Sequence, residues 1–246
     1  GLVGTILWVY FATFKGIPVS ASHSLIGGFV GAAFAKAGID SLQIVGITKV
    51  LIFIVMAPVL GMIGGFIFFT LIMWIFRRAS PSKINRWFRR LQLISASSYA
   101  ITHGANDAQK TMGLITILLF STGFLEGEFF VPFWVIITSY AVIALGTLAG
   151  GWSVIKTMGM QLTKLRPVHG FCAESAGALV LAFTSMTGIP VSTTHVIAGS
   201  IAGVGATRRL SAVRWSLARN IVWAWILTIP AAAVVILDRM MEIGGG

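Results

Sequence analysis

Gly16-Ile17-Pro18-Val19-Ser20-Ala21-Ser22-His23 is written a second time, 172 residues downstream, as Gly188-Ile189-Pro190-Val191-Ser192-Thr193-Thr194-His195. Both copies run into an apolar stretch with matched glycines, Gly27 and Gly31 in the first and Gly199 and Gly203 in the second. Proline disfavours helix at the residue before it and brings no N–H of its own. The hydroxyl side chains that follow are natural N-caps for a new helix, whose first turn exposes free N–H groups and a partial positive charge. A proline break and a hydroxyl cluster ahead of a short helix can therefore build an anion site inside a bilayer. A single copy reads as readily as a structural kink with satisfied caps. It is the duplication that favours a site, because repeat transporters build theirs where two such elements converge.

The rest of the composition supports a membrane setting. The chain of 246 residues is 57% hydrophobic and 10% charged, with a mean hydropathy of +0.91. A soluble domain cannot hide that much apolar surface. The apolar runs reach 20 to 30 residues between basic loops, which predicts helices rather than barrel strands. The net charge of +11 is not a nucleic-acid signature here, since the cations fall between spans. A single cysteine, Cys172, excludes an internal disulfide.

The hydropathy pattern predicts a short apolar segment over 1–14, a Gly/Ala-rich helix over 24–37 and spans near 47–76, 91–122, 130–154, 168–187, 191–206 and 215–237. Breaks are expected at 16–22, 102–107 and 188–194. The segments 77–90, 155–167 and 207–219 hold 13 of the 18 Lys and Arg, whereas 38–46 and 123–130 carry acids and neither. Positive charge in short loops marks the cytoplasmic side. The helix after Pro18 then runs outward and the one after Pro190 inward, which makes the two units an inverted repeat. The predicted organisation is 1–76 as the C-terminal part of repeat 1, 77–90 as a basic cytoplasmic loop and 91–246 as repeat 2. The only low-complexity tract is the terminal Gly244–Gly246. The fold class expected is all-α: a polytopic membrane protein, an inverted-repeat secondary transporter with broken helices, in the plasma or inner membrane.

Asn106-Asp107-Ala108-Gln109-Lys110 places a carboxylate, an ammonium and two amides within five residues of an apolar run. Such groups are costly at membrane depth and must face a cavity or one another. Gly104 permits an irregular backbone just before them. Glu174 is a further intramembrane carboxylate, a cation or proton group or else a helix-packing residue. His103 and Asp107, four apart, would suit a proton relay or a metal, a weak signal alone. His23 and His195 are expected to brace the loops by hydrogen bonding. An anion beside Asp107 would be repelled by several kcal/mol at low dielectric. A cation must enter with it, or Asp107 must be protonated, or Lys110 must neutralise it. That is a physical basis for symport, in which each ligand raises the affinity of the other.

These motifs resemble those of the inorganic phosphate transporter (PiT) family. Its Gly-Ala-Asn-Asp element matches Gly104-Ala105-Asn106-Asp107, and its Pro-Val-Ser-Thr-Thr-His element matches Pro190 to His195, with Pro18 to His23 as the first-repeat version. The resemblance covers essentially the whole chain. It implies phosphate uptake by alternating access, with phosphate held by Ser20, Ser22, Asn106, Asp107, Ser192, Thr193 and Thr194; Gln109 and Lys110 are added as neighbours of the Asn-Asp pair. Coupling is assigned to Asp107 and Glu174, with a proton, a divalent metal or sodium as the co-transported cation, and with no resident cofactor or metal. Two departures stand out. Ala21 replaces the hydroxyl of Thr193, and Gln109-Lys110 stand where sodium-coupled relatives tend to have Ala-Asn. The Gln-Lys pair is more similar to bacterial members thought to use protons or metal–phosphate complexes.

Sulfate or another tetrahedral oxyanion is the alternative cargo. A non-transporting membrane scaffold is the alternative class, but it leaves the repeated intramembrane polar residues without a purpose. A hydrolase is disfavoured, because the chain has neither a Gly-x-Ser-x-Gly elbow nor a His-Glu-x-x-His pair. A homodimer is compatible with this reading, and the bilayer is the only other partner expected. Carrying the offset of 172 back from Gly104 puts a sister Gly-Ala-Asn-Asp element before residue 1, so the natural protein is expected to extend upstream.

Overall fold

A computed structural model describes residues 1–244; Gly245 and Gly246 of the terminal glycine tract, and the side chains from residue 238 on, lie outside the described part. The described residues are helical with connecting turns and contain no strand. The helices are α1 Leu2–Phe14, α2 Ala21–Ala37, α3 Ile44–Ile75, α4 Pro81–Ser121, α5 Phe133–Ala149, α6 Trp152–Lys156 with a π-helical turn at Thr157–Gln161, α7 Pro167–Met186, α8 Thr193–Ala206 and α9 Trp215–Gly244. By length and apolarity Ile44–Ile75 and Trp215–Leu237 are long enough to span a membrane. A third span is supplied if α5 and the α6 segment, bent by 64° at Gly150-Gly151, count as one. That bend replaces the straight span expected over 130–154.

The two octapeptides break the helix in the same way. α1 and α7 both end in a Schellman turn. Ile17 N donates to Ala12 O (2.9 Å) and Gly16 N to Thr13 O (3.0 Å); Ile189 N donates to Thr184 O (2.9 Å) and Gly188 N to Ser185 O (3.3 Å). The turn needs a left-handed residue, and Gly16 and Gly188 supply it at φ 70° and 67°. The chain then runs extended through the proline to Ser20 and Ser192. Their hydroxyls accept the first free N–H groups of the next helices, from His23 (3.2 Å) and His195 (3.4 Å).

The repeats interlock. Gly27 and Gly31 of α2 lie against the backbone of Ile229 and Ala233 in α9, and a Cβ at either would collide with it. Gly199 and Gly203 of α8 lie in the same way against Pro58 and Met62 of α3. Each hydroxyl-capped helix thus packs on the long helix of the other repeat, with close approach licensed by glycine. Sequence rises together along both pairs, so α2 runs parallel to α9 and α8 parallel to α3. One hollow brings together Arg77, Arg166 and Arg208 from the three basic segments, so α3 and α8 end at one face and α9 begins there. α2 therefore runs away from that face and α8 toward it, as an inverted repeat requires. Pro58 and Pro230 occupy matching positions, again 172 apart.

α4 corrects two expectations. It is one helix of 41 residues, unbroken through 102–107, and its first turns are formed by the segment read as a basic loop over 77–90. Ser80 precedes Pro81 at the first helical position, where proline costs nothing. Nothing between Pro81 and Ser121 stops the helix: Gly104 merely tolerates it, and the polar residues at 106–110 find partners without a break. At about 1.5 Å per residue α4 is roughly 60 Å long, twice the hydrocarbon thickness, so its basic start lies outside the apolar layer. Ile84 and Phe88 of that start are buried, Phe88 edge-on to Phe76 and Phe171.

The contrast between glycines is testable. Gly199→Ala should destabilise the protein by about 1–3 kcal/mol by forcing α8 from α3. Gly104→Ala, which meets open space within a continuous helix, should be neutral or stabilise by up to about 1 kcal/mol. Thermal unfolding in detergent distinguishes the two; a cost at Gly104 equal to that at Gly199 would show that α4 needs an irregular backbone there.

Candidate functional site

The two extended loops meet, and α4 passes beside them. Thr194 Oγ1 donates to Val19 O of the opposite loop (3.4 Å). Asp107 of α4 is the hub. Its Oδ2 accepts from Thr193 Oγ1 (3.3 Å) and pairs with His103 Nε2 one turn earlier (3.0 Å), while Oδ1 faces Lys110 Nζ at 3.5 Å. Lys110 in turn donates to Ser22 Oγ (2.7 Å) and Val191 O (3.5 Å). One ammonium thus ties α4 to both loops, and one carboxylate gathers a hydroxyl, an imidazole and that ammonium.

Lys110 also lines two cavities. One, of about 260 Å³, is bordered by Asn106, Gln109, Lys110 and the chain from Gly188 to Val191. The other, of about 440 Å³ and largely apolar, is lined by Ser22, His23, Ile26, Val50, Lys110 and Pro190. Cavities adjoining a charged cross-link leave room for an anion beside it.

The expected residues are sorted by this geometry. Ser22, Asp107, Lys110 and Thr193 share one hydrogen-bonded cluster, and Thr194 joins the two loops. Asn106 and Gln109 border the smaller cavity, although Asn106 Nδ2 is turned to Thr102 O of its own helix (2.9 Å). Ser20 and Ser192 are each 1% exposed and spend their hydroxyls as caps, so they shape the loops and border neither cavity. Glu174 is elsewhere, between α7 and α4, accepting from Ser95 Oγ (2.5 Å) and Gln92 Nε2 (3.4 Å). The histidines brace the loops through their rings rather than by hydrogen bonds. His23 and His195 meet edge-to-face at 4.7 Å, and His195 stacks on Trp225 at 3.9 Å. Among the described residues, neither nitrogen of His195, nor His23 Nδ1, has a hydrogen-bond partner. Trp225 Nε1 donates to Pro18 O (2.7 Å), so one side chain holds both loops.

Among the described residues no three His, Cys, Asp or Glu side chains cluster as a metal site. Two contributors are absent from the expected set. Tyr99 donates to Thr193 O (3.1 Å), and Trp225 holds Pro18 as above. Tyr99 has a sequence signal: Gln92, Ser95, Tyr99, His103, Asp107 and Lys110 recur at steps of three and four, a single polar stripe of an unbroken α4. Trp225 has none, being one of several tryptophans in an apolar run.

Comparison with known proteins places this arrangement. The family described as "Phosphate transporter family" matches residues 1–83 and 77–236. The chain belongs to the phosphate transporter family. A probable low-affinity inorganic phosphate transporter of Rhizobium meliloti is 53% identical over 234 residues, which cover 95% of this chain and 70% of the relative. A protein of the same description from Bacillus subtilis is 38% identical over 232 residues, covering 94% and 70%. A solved structure described as "The sodium-dependent phosphate transporter" superposes with a TM-score of 0.85 at 24% identity, over 96% of this chain and 76% of that one; it shares the fold. These relatives are transporters rather than enzymes, and the transporter described here is a membrane protein built on an inverted repeat.

The division between capping and facing hydroxyls predicts different losses. Ser20→Ala and Ser192→Ala should each lower stability by about 0.5–2 kcal/mol through loss of a cap. Ser22→Ala, which frees Lys110 but leaves the cap in place, should change stability less. Chemical denaturation of the reconstituted variants measures this, and a Ser22→Ala cost above that of Ser192→Ala would contradict it.

Proposed function

We propose that this protein carries inorganic phosphate across the cell membrane by alternating access, bound where the two loops meet Asp107 and Lys110, and that uptake is coupled to a cation. The observation that supports this most directly is the position of Lys110, cross-linking Asp107 to Ser22 and the Val191 carbonyl at the edge of two cavities. Phosphate entering this cluster gains Lys110, Ser22, Thr193 and Thr194 as donors. It also meets the Asp107 carboxylate, whose repulsion must be relieved.

Lys110 already supplies, 3.5 Å from Asp107 Oδ1, the positive charge that a monovalent metal would bring there. Once phosphate draws the ammonium off, the carboxylate needs a new partner, and a proton or a divalent metal arriving with phosphate provides it. His103, already paired with Asp107, is placed to pass that proton. Each ligand then favours the other, which is symport in thermodynamic terms. Monohydrogen phosphate can also donate its own proton to Asp107, whereas fully ionised sulfate cannot, which favours phosphate as cargo. Sodium coupling is the alternative reading, favoured by the description of the solved neighbour. Glu174, satisfied by Ser95 and Gln92 away from the loops, serves coupling at a distance, through the α4–α7 contact.

Uptake of radiolabelled phosphate into proteoliposomes, with pH and sodium gradients imposed separately, tests this. A proton gradient alone should drive uptake; strict dependence on sodium at every pH would favour the alternative. Asp107→Asn should abolish uptake while the protein still folds, and wild-type rates under all gradients would make Asp107 structural. Thr193→Val should weaken phosphate binding by about 1–3 kcal/mol, or about 5–150-fold, by leaving a polar partner unsatisfied. Unchanged competition by unlabelled phosphate would remove Thr193 from the site.

A further inference from the structure

Outside the loop site, a strongly charged concavity lies at the basic face, between the turn after α6 and the link from α8 to α9. Lys164, Arg208, Arg209 and Arg214 converge on a hollow of about 260 Å³ together with Gln161 and Ser211. Those four cations come from two segments more than forty residues apart. Among the described residues no carboxylate borders the hollow, and the ion pairs found among them are both on Asp107.

Orientation in a membrane requires only that cations be present in the loops. It does not require that they be gathered into one concave site. Here the gathering is enforced by backbone. Arg214 N donates to Leu162 O (3.0 Å), and Thr163 Oγ1 donates to Ala212 O (3.0 Å). Val213 is buried beneath, against Gly205, where a Cβ would press on the side chains of Val213 and Thr163. The hollow is therefore formed before any ligand arrives, which lowers the ordering cost of binding. Uncompensated cations held together repel one another, and an anion relieves that repulsion. Arginine forks match the oxygens of a phosphate group in geometry as well as charge. Arg208 also borders the neighbouring hollow with Arg77 and Arg166, so the positive field extends beyond one phosphate.

Exposed apolar side chains adjoin it. Met160, 69% exposed, lines the hollow, and Leu210, 70% exposed, sits in the chain between Arg209 and Ser211 and accepts from Trp215 Nε1 through its carbonyl (2.7 Å). A tryptophan with its ring in apolar surroundings and its N–H anchored is typical of the membrane–water interface. A basic hollow bordered by exposed apolar side chains suits a ligand with a phosphate head and acyl chains.

We propose that this hollow is a binding site for phosphate-bearing anions, with the headgroup of an anionic membrane lipid as its occupant. It is separate from the loop site and does not depend on what the loop site carries.

The test uses the full chain purified in a neutral detergent, with thermal stability followed as lipid is added in mixed micelles. Phosphatidylglycerol should stabilise at a concentration at least about tenfold below phosphatidylcholine, given roughly the contribution expected of each basic residue. The triple variant R208Q/R209Q/R214Q should lose that preference. The variant R89Q/R90Q, which removes two exposed charges from the start of α4, should keep it. A further arm adds sodium tripolyphosphate without lipid. Stabilisation in this arm alone, lost in the same triple variant, would retain the site and assign it to a free phosphate anion. Absence of any preference in the wild type, its persistence in the triple variant, or an equal loss in R89Q/R90Q would overturn the proposal. Should the triple variant fail to purify, Arg209→Gln gives the same comparison with a smaller loss, and no loss there would overturn it as well. Uptake is not read, so the outcome is independent of transport.

Discussion

A helix cannot stop inside a hydrocarbon layer without finding partners for the backbone groups it leaves open. Everything distinctive in this protein follows from meeting that demand twice. Gly16 and Gly188 close the carbonyl ends of α1 and α7 in Schellman turns; Ser20 and Ser192 close the N–H ends of α2 and α8. Between them lie only a few residues, and Pro18 and Pro190 remove one N–H that would otherwise need a partner. The carbonyl of Pro18 is taken up by Trp225 and that of Val191 by Lys110. With the backbone so satisfied, the hydroxyls of Ser22, Thr193 and Thr194 are left to bond beyond their own caps, to Lys110, Asp107 and the opposite loop.

Satisfied breaks alone would not hold the two loops against each other. The interlocking of the repeats does. Because α2 rides on α9 and α8 on α3, neither repeat can complete its packing without the other, and the loops at their starts are brought to the same depth. The glycines decide how closely: at Gly199 and Gly203 the facing element is backbone rather than side chain, so there is no flexible group to yield. His23 and His195 then meet as equivalent residues of the two repeats, in a contact that depends on ring packing and Trp225 rather than on hydrogen bonds.

The duplicated octapeptide carries most of this architecture on its face. Its proline, hydroxyls and glycines each have a local physical meaning, and their repetition 172 residues on shows that the meaning is structural twice over. The basic segments likewise reveal which helix ends share a face, since the rule that places them is electrostatic and nearly independent of packing. What misleads is the run from His103 to Lys110. A cluster of polar residues in an apolar stretch reads as a break, yet α4 continues through it, because Asp107 finds His103 and Lys110 at one-turn spacing on its own helix. Read as helix from the start, the same residues fall into line with Gln92, Ser95 and Tyr99, and the sites of Glu174 and Thr193 join one stripe. The cross-repeat partner of Trp225 has no such trace, because a contact over 207 residues between a tryptophan and a carbonyl leaves no pattern in either segment.

The electrostatics of the stripe explain why a lysine is tolerable at this depth. An isolated ammonium would be expensive in an apolar surrounding, and so would an isolated carboxylate. Lys110 and Asp107 lie one helical turn apart and their side chains are 31% and 25% exposed, so neither is fully stripped of water and each reduces the cost of the other. A mobile metal ion would do the same for Asp107 and then depart; a tethered ammonium cannot. The difference matters for energetics. With a metal, the empty carrier holds an unpaired carboxylate that resists phosphate until the ion returns. With Lys110, the empty carrier is already neutral at this point, and phosphate competes with Asp107 for a cation that is always present. Affinity then depends less on external cation concentration. The demand for a co-transported charge moves to the moment when Lys110 turns to phosphate and leaves Asp107 facing His103 alone.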